Sequence, residues 1–171
     1  MNKTDQPSLD KARVRATFNK AASRYENFDF LQKEVANRLL QRLEVKNNNV
    51  KMVLELGCGT GRIIPSLQKT FAKSRLVCVD MAETMLMMAR KTNSSIFKKK
   101  KFFICADAEN LPFKPGLIDV VYSNLSIQWC PDPLQVFSNV NKLLNKSGGF
   151  FVFSTLGPDT LKELRESFEG Y

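Results

Sequence analysis

Residues 53–62 read Val53-Leu54-Glu55-Leu56-Gly57-Cys58-Gly59-Thr60-Gly61-Arg62, and this stretch decides the fold. Its apolar beginning, together with Met52, is typical of a buried parallel strand. Three glycines at alternate positions follow, and a helical pattern with one apolar face begins at Ile63. A strand, a glycine turn and a helix in this order open a nucleotide-binding βα unit, because bare backbone lets a ligand approach closely.

The spacing of the glycines argues against a dinucleotide site. The dinucleotide fingerprint G-x-G-x-x-G places its third glycine three positions after the second. Counting from Gly57 and Gly59, that position is Arg62, and counting from Gly59 and Gly61 it is Ile64. The loop alone is weak evidence for any ligand, since a tight βα turn without one gives the same pattern.

The rest of the chain alternates helices and strands. Two amphipathic helices are predicted first, at 9–25 and 29–43, after a disordered lead-in at 1–9. The predicted strands are 51–56, 76–79, 102–105, 118–123 and 150–154, and the later helices are 61–71, 82–91, 132–145 and 160–168. This order predicts a doubly wound α/β sheet. Residues 1–46 are expected to form a helical cap or lid outside the sheet, and residues 47–171 the core domain.

Polar or glycine residues follow the first four predicted strands directly. They are Gly57–Gly61, Asp80, Asp107 and Asn124. Ligands of doubly wound sheets bind outside the carboxyl ends of the strands, so these residues are expected to converge on one crevice. Asp80 comes nineteen positions after Gly61. At about that spacing an acidic side chain can accept hydrogen bonds from both ribose hydroxyls.

Composition excludes several classes of chemistry. The chain has no histidine, so Ser-His-Asp and Cys-His triads and the common histidine-containing zinc sites are excluded. Its net charge of +9 suggests an anionic partner, namely nucleic acid, an acidic protein or a phosphorylated carrier. The one basic block, Lys98–Lys101, is interpreted as a solvated loop.

Localisation is expected to be cytoplasmic. The four cysteines are scattered without a C-x-x-C pair, which favours reduced thiols over disulfides or a metal site. No apolar run approaches the ~20 residues of a membrane span, and Met1–Leu9 carry no signal-peptide core.

The E-x-G-x-G-x-G pattern of Glu55–Gly61 resembles motif I of the class I S-adenosylmethionine (SAM) methyltransferases. The resemblance implies SAM as cofactor, S-adenosylhomocysteine as product and no metal. It also implies cofactor roles for individual residues. The methionyl end would be held by Glu55, Gly57, Cys58, Gly59 and Gly61, the ribose by Asp80, and the adenine by Met81, Asp107 and Ala108, with Asn124 completing the set.

A narrower resemblance covers nearly the whole chain. Four parts of the chain resemble the biotin-pathway malonyl-acyl-carrier-protein O-methyltransferases: residues 18–26 (FNKAASRYE), 31–36 with 38–40, 123–130 (SNLSIQWC) and 154–164 (STLGPDTLKEL). This implies methylation of the free carboxylate of a malonyl thioester on an acidic acyl carrier protein. A carboxylate is already ionised at neutral pH, so no general base is needed. Tyr25, Gln128 and Trp129 are the candidates for lining the acceptor pocket.

The chain also departs from this family. Its members are longer and carry two more strands, so the C-terminal strands of the sheet are expected to be missing here. Two alternative functions stay open. One is methylation of RNA, which the basic charge would suit, or of a different small molecule. The other is the role of a related complex I assembly factor, non-enzymatic or hydroxylating, that binds SAM or a protein partner.

Overall fold

The computed structural model describes residues 9–43, 49–94 and 101–168. Residues 1–8 of the predicted lead-in, 46–48 of a predicted polar turn and Lys98–Lys100 of the basic block lie outside these ranges. Over the described ranges the helices are α1 Lys11–Ala21, α2 Phe30–Gln41, α3 Ile64–Thr70, α4 Glu83–Thr92, α5 Pro133–Leu143 and α6 Lys162–Phe168. The strands are β1 Met52–Leu56, β2 Arg75–Asp80, β3 Lys101–Cys105, β4 Val120–Asn124 and β5 Phe150–Ser154. Short 3-10 helices cover Ala22–Asn27 and Ile127–Trp129.

The five strands form one parallel sheet in the order β3-β2-β1-β4-β5. In the central pairing, Leu54 of β1 lies opposite Val77 of β2 on one side and Val121 of β4 on the other. The chain runs outward from β1 in one direction and then returns to continue outward from β4. A crevice forms at the carboxyl ends of the strands where this reversal occurs, which here lies between β1 and β4.

The sheet is covered on both faces, which confirms the predicted doubly wound α/β architecture. Alternate strand residues point to opposite faces, so Val53 joins one apolar cluster and Leu54 joins the other. The first cluster includes residues of α2, α3 and α4, and the second is closed by α5. Both faces of the central strands are therefore buried, which explains their continuous apolar sequence.

The two N-terminal helices differ in how they meet the sheet. The sequence placed both in a cap outside it, whereas α2 belongs to the layer that covers it. The hydroxyl of Tyr122 on β4 donates a hydrogen bond of 3.1 Å to the carbonyl of Ala36 on α2. The helix α1 packs on α4 and lies over the crevice. Residues of α1 and of the 3-10 helix after it line the crevice.

Several element boundaries differ from the prediction by two residues or more. The first α-helix ends at Ala21, and Tyr25 lies in the 3-10 helix that follows. Strand β4 begins at Val120, while Ile118 forms an isolated bridge with Leu144. Among the helices of the described residues, none combines the length and the hydropathy that crossing a membrane requires.

Candidate functional site

The main crevice lies at the carboxyl ends of β1, β2, β3 and β4, with α1 across its mouth. Most of the residues predicted to converge on it do so, since Gly57, Gly59, Asp80, Asp107 and Asn124 line it, whereas Cys58, Thr60 and Gly61 do not. Met81, Ala108, Tyr25 and Trp129 line it as well. The crevice contains about 720 Å³ of space outside protein atoms, part of which is open to solvent.

Each glycine of the loop meets a different requirement. All three have positive φ angles, +75° at Gly57, +53° at Gly59 and +77° at Gly61, where a side chain is strained. A Cβ at Gly57 would lie 2.0 Å from Ser126 Oγ, and one at Gly61 would lie 2.8 Å from the Cβ of Ala89 on α4. A Cβ at Gly59 would meet nothing within 4 Å. Gly59 therefore borders open space in the crevice, whereas Gly61 packs behind the loop and does not line the crevice.

The loop is held against β2 by hydrogen bonds from both sides. The backbone N–H groups of Gly57 and Cys58 donate to the carbonyl of Val79, at 2.8 and 3.0 Å. One carboxylate oxygen of Asp80 accepts from the N–H of Gly59, and the other from the N–H of Ala82, both at 2.8 Å. Burial raises the pKa of Asp80, while these backbone hydrogen bonds lower it. A carboxylate has about four acceptor positions, so each oxygen can accept a further hydrogen bond.

Glu55 is the most buried acid near the crevice. It lines a second cavity, the loop pocket, which is bounded by Glu55, Cys58, Gly59, Arg62 and α2. Its Oε2 atom is buried and has no hydrogen-bond partner among the described residues. Burial raises the pKa of Glu55 to about 8; a hydrogen bond with Cys78 lowers it and the charge of Asp80 raises it. A cationic ligand group beside Glu55 would satisfy this oxygen and restore its charge.

Lys11 and Arg62 each form two ion pairs that hold the N-terminal segment against the rest of the site. Lys11 of α1 contacts the carboxylates of Asp107 and Glu109, each at 2.6 Å. Burial lowers the pKa of Lys11, but its hydrogen bonds to the two carboxylates raise it, and the net direction is upward. Arg62, directly after the glycine loop, pairs with Asp29 at 2.6 Å and with Glu26 at 3.2 Å. The loop therefore holds the segment that carries Tyr25.

Asn124 is fixed by the protein itself. Its amide nitrogen donates a hydrogen bond of 2.9 Å to the carbonyl of Gln32, and its amide oxygen accepts one of 2.9 Å from the hydroxyl of Ser154. It lies between the main crevice and the loop pocket and lines both. Its place agrees with the sequence prediction, and its hydrogen bonds tie β4 to α2 and β5.

The predicted acceptor residues border a third cavity, the groove, which lies between α1, the start of α2 and the 3-10 helix Ile127–Trp129. Tyr25, Gln128 and Trp129 all line it. Tyr25 lines the main crevice and the loop pocket too, so it stands where the three cavities meet. Burial raises the pKa of Tyr25, as do the charges of Asp29 and Asp80, while a hydrogen bond with Gln32 lowers it. The phenol is therefore protonated at neutral pH.

Sequence reasoning missed four residues of the site. Lys11, Arg62 and Gln32 make contacts with segments distant in sequence, and nothing in their immediate neighbours signals them. Ser126 follows the predicted strand β4 closely, and that position was the one available signal for it. These residues fix the relative position of elements that the sequence pattern identified separately.

Comparison with known proteins identifies the family. The family model described as "Methyltransferase domain" matches residues 54–153. The chain is 43% identical over 161 residues to a malonyl-[acyl-carrier protein] O-methyltransferase of Methylovorus sp. (strain MP688), covering 92% of this chain and 54% of that protein. It is 36% identical over 167 residues to a protein of the same name from Laribacter hongkongensis (strain HLHK9), covering 94% and 56%. The chain thus spans about half the length of these curated relatives.

A solved structure with the same fold is the S-adenosylmethionine dependent methyltransferase of Mesorhizobium loti. It matches with a TM-score of 0.61 and 26% identity, covering 74% of this chain and 56% of that one. The family and the fold support SAM as cofactor, and the unpartnered Glu55 oxygen and the open space at Gly59 fit such a ligand. From its glycine loop, its parallel sheet and its family match, the chain belongs to the methyltransferase domain family, with the class I Rossmann-like fold.

Proposed function

We propose that this chain carries the cofactor site of an enzyme that transfers a methyl group from SAM to the free carboxylate of malonyl-acyl carrier protein. The names of the relatives support this acceptor. The single observation that carries the proposal is the position of Tyr25 where the groove meets the cofactor crevice. A substrate entering through the groove would meet a methyl donor lying in the crevice.

Different residues of the site contact different parts of the cofactor. Glu55 and the glycine loop with Cys58 hold the methionyl end, and the buried Glu55 oxygen accepts from its ammonium group. Asp80 uses its remaining acceptor positions for the two ribose hydroxyls. Met81 would contact the adenine, and Asp107 and Ala108 would meet its edge.

The reaction requires positioning more than acid–base chemistry. Bound SAM supplies an electrophilic methyl group, which the malonyl carboxylate takes while the bonding electrons stay on sulfur. Because that carboxylate is already ionised, no side chain has to remove a proton. Tyr25 and Trp129 orient the malonyl end of the acceptor, and Gln128 lines the path that leads to them. The apolar walls formed with Val14 and Phe18 exclude water from the reacting atoms.

The net charge of the chain supports an acyl carrier protein as its partner. Acyl carrier proteins are acidic, and this chain has a net charge of +9. Opposite net charges speed the encounter between two proteins and make its rate depend on salt. RNA would also be attracted by this charge, so the test has to include it.

Transfer of labelled methyl groups from SAM tests the proposal. The acceptors compared are malonyl-acyl carrier protein, acetyl-acyl carrier protein and total RNA. We expect label only on the malonyl form, because the acetyl form has no free carboxylate. Label on RNA, or none on the malonyl carrier while calorimetry shows bound SAM, would contradict the proposed acceptor.

A further inference from the structure

The groove follows one face of α1. Its lining residues on this helix and beyond recur every three or four positions, from Asp10 through Arg13, Thr17 and Ala21 to Tyr25. The 11 residues of α1 span about 16 Å at the rise of an α-helix. The groove therefore leads from the outer end of α1 to the cofactor crevice and has the length to hold an extended chain.

Two glutamine side chains lie in the otherwise mostly apolar inner part of the groove. The Oε1 atoms of Gln32 and Gln128 are buried and have no hydrogen-bond partner among the described residues. Both residues line the groove. A buried acceptor without a donor is costly, so two of them in one cavity point to a ligand that brings its own donors.

The backbone holds Gln32 firmly in this position. Its carbonyl accepts the hydrogen bond from Asn124 at the carboxyl end of β4, and its side chain contributes a hydrogen bond to Tyr25. Gln128 lies in the 3-10 helix that closes the opposite wall of the groove. The two amides are therefore carried by rigid elements, which suits recognition of a ligand with donors at fixed intervals.

We propose that the groove binds the amide-bearing thioester arm of the carrier, and that Gln32 and Gln128 accept hydrogen bonds from the amide N–H groups of that arm. This inference rests on the proposed function above and assigns Gln32 a part in it. The malonyl end of the arm lies at Tyr25, and the arm leaves the protein at the outer end of α1. Its apolar links contact Val14, Phe18 and Leu31.

The outer end of the groove suits the anionic carrier. Arg13 is exposed there and makes no ion pair within the described residues. Asp10 lies beside it, but its carboxylate caps α1 by accepting from the N–H groups of Ala12 and Arg13. A free guanidinium thus stands where the phosphate that joins the arm to its carrier would emerge.

Steady-state kinetics with two small substrates test the assignment. Malonyl-pantetheine keeps the amides of the arm, whereas the malonyl thioester of ethanethiol has none. For Gln32→Leu and for Gln128→Leu we expect KM for malonyl-pantetheine to rise about tenfold with little change in kcat. KM for the amide-free thioester should change less than about twofold. Gln41→Leu, on the exposed end of α2, is the matched control and should leave both substrates unaffected.

Equal losses with both substrates, or no loss with either, would overturn the inference. Calorimetry of SAM binding shows whether each variant is folded. Gln128 lines the groove but neither the main crevice nor the loop pocket. Gln128→Leu therefore tests the inference by itself if Gln32→Leu does not fold.

The proposed function and the inference fail in different ways. If the wild type methylates no malonyl thioester, the proposed acceptor is wrong. Binding of S-methylpantetheine to the protein saturated with S-adenosylhomocysteine then tests, independently of methyl transfer, whether the groove binds the arm. Weaker binding to both glutamine variants than to Gln41→Leu supports it, and equal binding or none overturns it.

Discussion

At the scale of single residues, Gly59 and Gly61 separate ligand binding from folding. Valine at 59 would project into open space that the cofactor needs, so Gly59→Val should abolish SAM binding while the positive φ costs about 1–2 kcal/mol of stability. Valine at 61 would start 2.7 Å from Ile64 Cδ1 and should cost more stability than that. Calorimetry and denaturant unfolding on both variants check this. Normal SAM affinity in Gly59→Val would show that the loop is only a turn.

Asp80 supports the loop by accepting from the N–H of Gly59, and we propose that it binds the ribose. Asp80→Ala should weaken SAM binding by about 1–3 kcal/mol, because it removes a charged acceptor. Asp119→Ala is the matched control. Asp119 accepts from the N–H groups of Lys51 and Met52 at the opposite end of the sheet, at 2.8 and 2.9 Å. Calorimetry should show weakened affinity only for the first variant, and unchanged affinity in a folded Asp80→Ala would remove Asp80 from the site.

Glu55 gives the protein without its cofactor a characteristic pH dependence. Its pKa of about 8 in the folded chain lies above the ordinary value of about 4.3, so the folded state holds an extra proton between these values. The stability that this proton provides is complete below pH 4 and is lost as the pH rises through 8. Glu55→Gln, which stays neutral, should therefore gain stability relative to the wild type from pH 5 to 8.5. Denaturant unfolding at several pH values measures the difference, and parallel curves would contradict it.

At the scale of elements, the strands were predictable from the sequence and the end of the helix α1 was not. The central strands β1 and β4 start or end within two residues of the prediction, because a strand buried on both faces needs a continuous apolar run. The end of α1 was missed because apolar spacing of three or four suits both an α-helix and a 3-10 helix. Tyr25 was therefore placed on the correct face and in the wrong element.

The 3-10 helix Ala22–Asn27 is the element expected to act as a lid. Tyr25→Ala should reduce methyl transfer more than tenfold with little change in melting temperature, because the side chain lines three cavities without being part of the main sheet core. Phe28→Ala, whose side chain is 79% exposed next to this helix, is the control and should leave transfer unchanged. Turnover and melting are measured on the same samples. A melting point lowered by several degrees with normal turnover per folded molecule would show a packing role instead.

At the scale of the whole molecule, the sequence predicted which strand ends meet and could not predict what holds the crevice closed. Asp107 was predictable because it follows a strand of a parallel sheet. Its partner Lys11 lies 96 residues earlier in the chain, and Asn124 meets Gln32 across 92 residues. Such contacts depend on how the layers pack together, and a local pattern carries no signal for them.

Lys11 fastens α1 over the crevice, so the cofactor should exchange faster when it is removed. The Lys11 side chain is 34% exposed, and ion pairs at such sites contribute less than about 1 kcal/mol. Lys11→Met should therefore raise both the association and the dissociation rate of SAM, by about fivefold at most, with a smaller change in Kd. Arg15→Met, an exposed change on the same helix, is the control. Stopped-flow binding measures both rates, and salt should speed exchange in the wild type but not in Lys11→Met. Identical rates in the two proteins would mean that α1 opens independently of this ion pair.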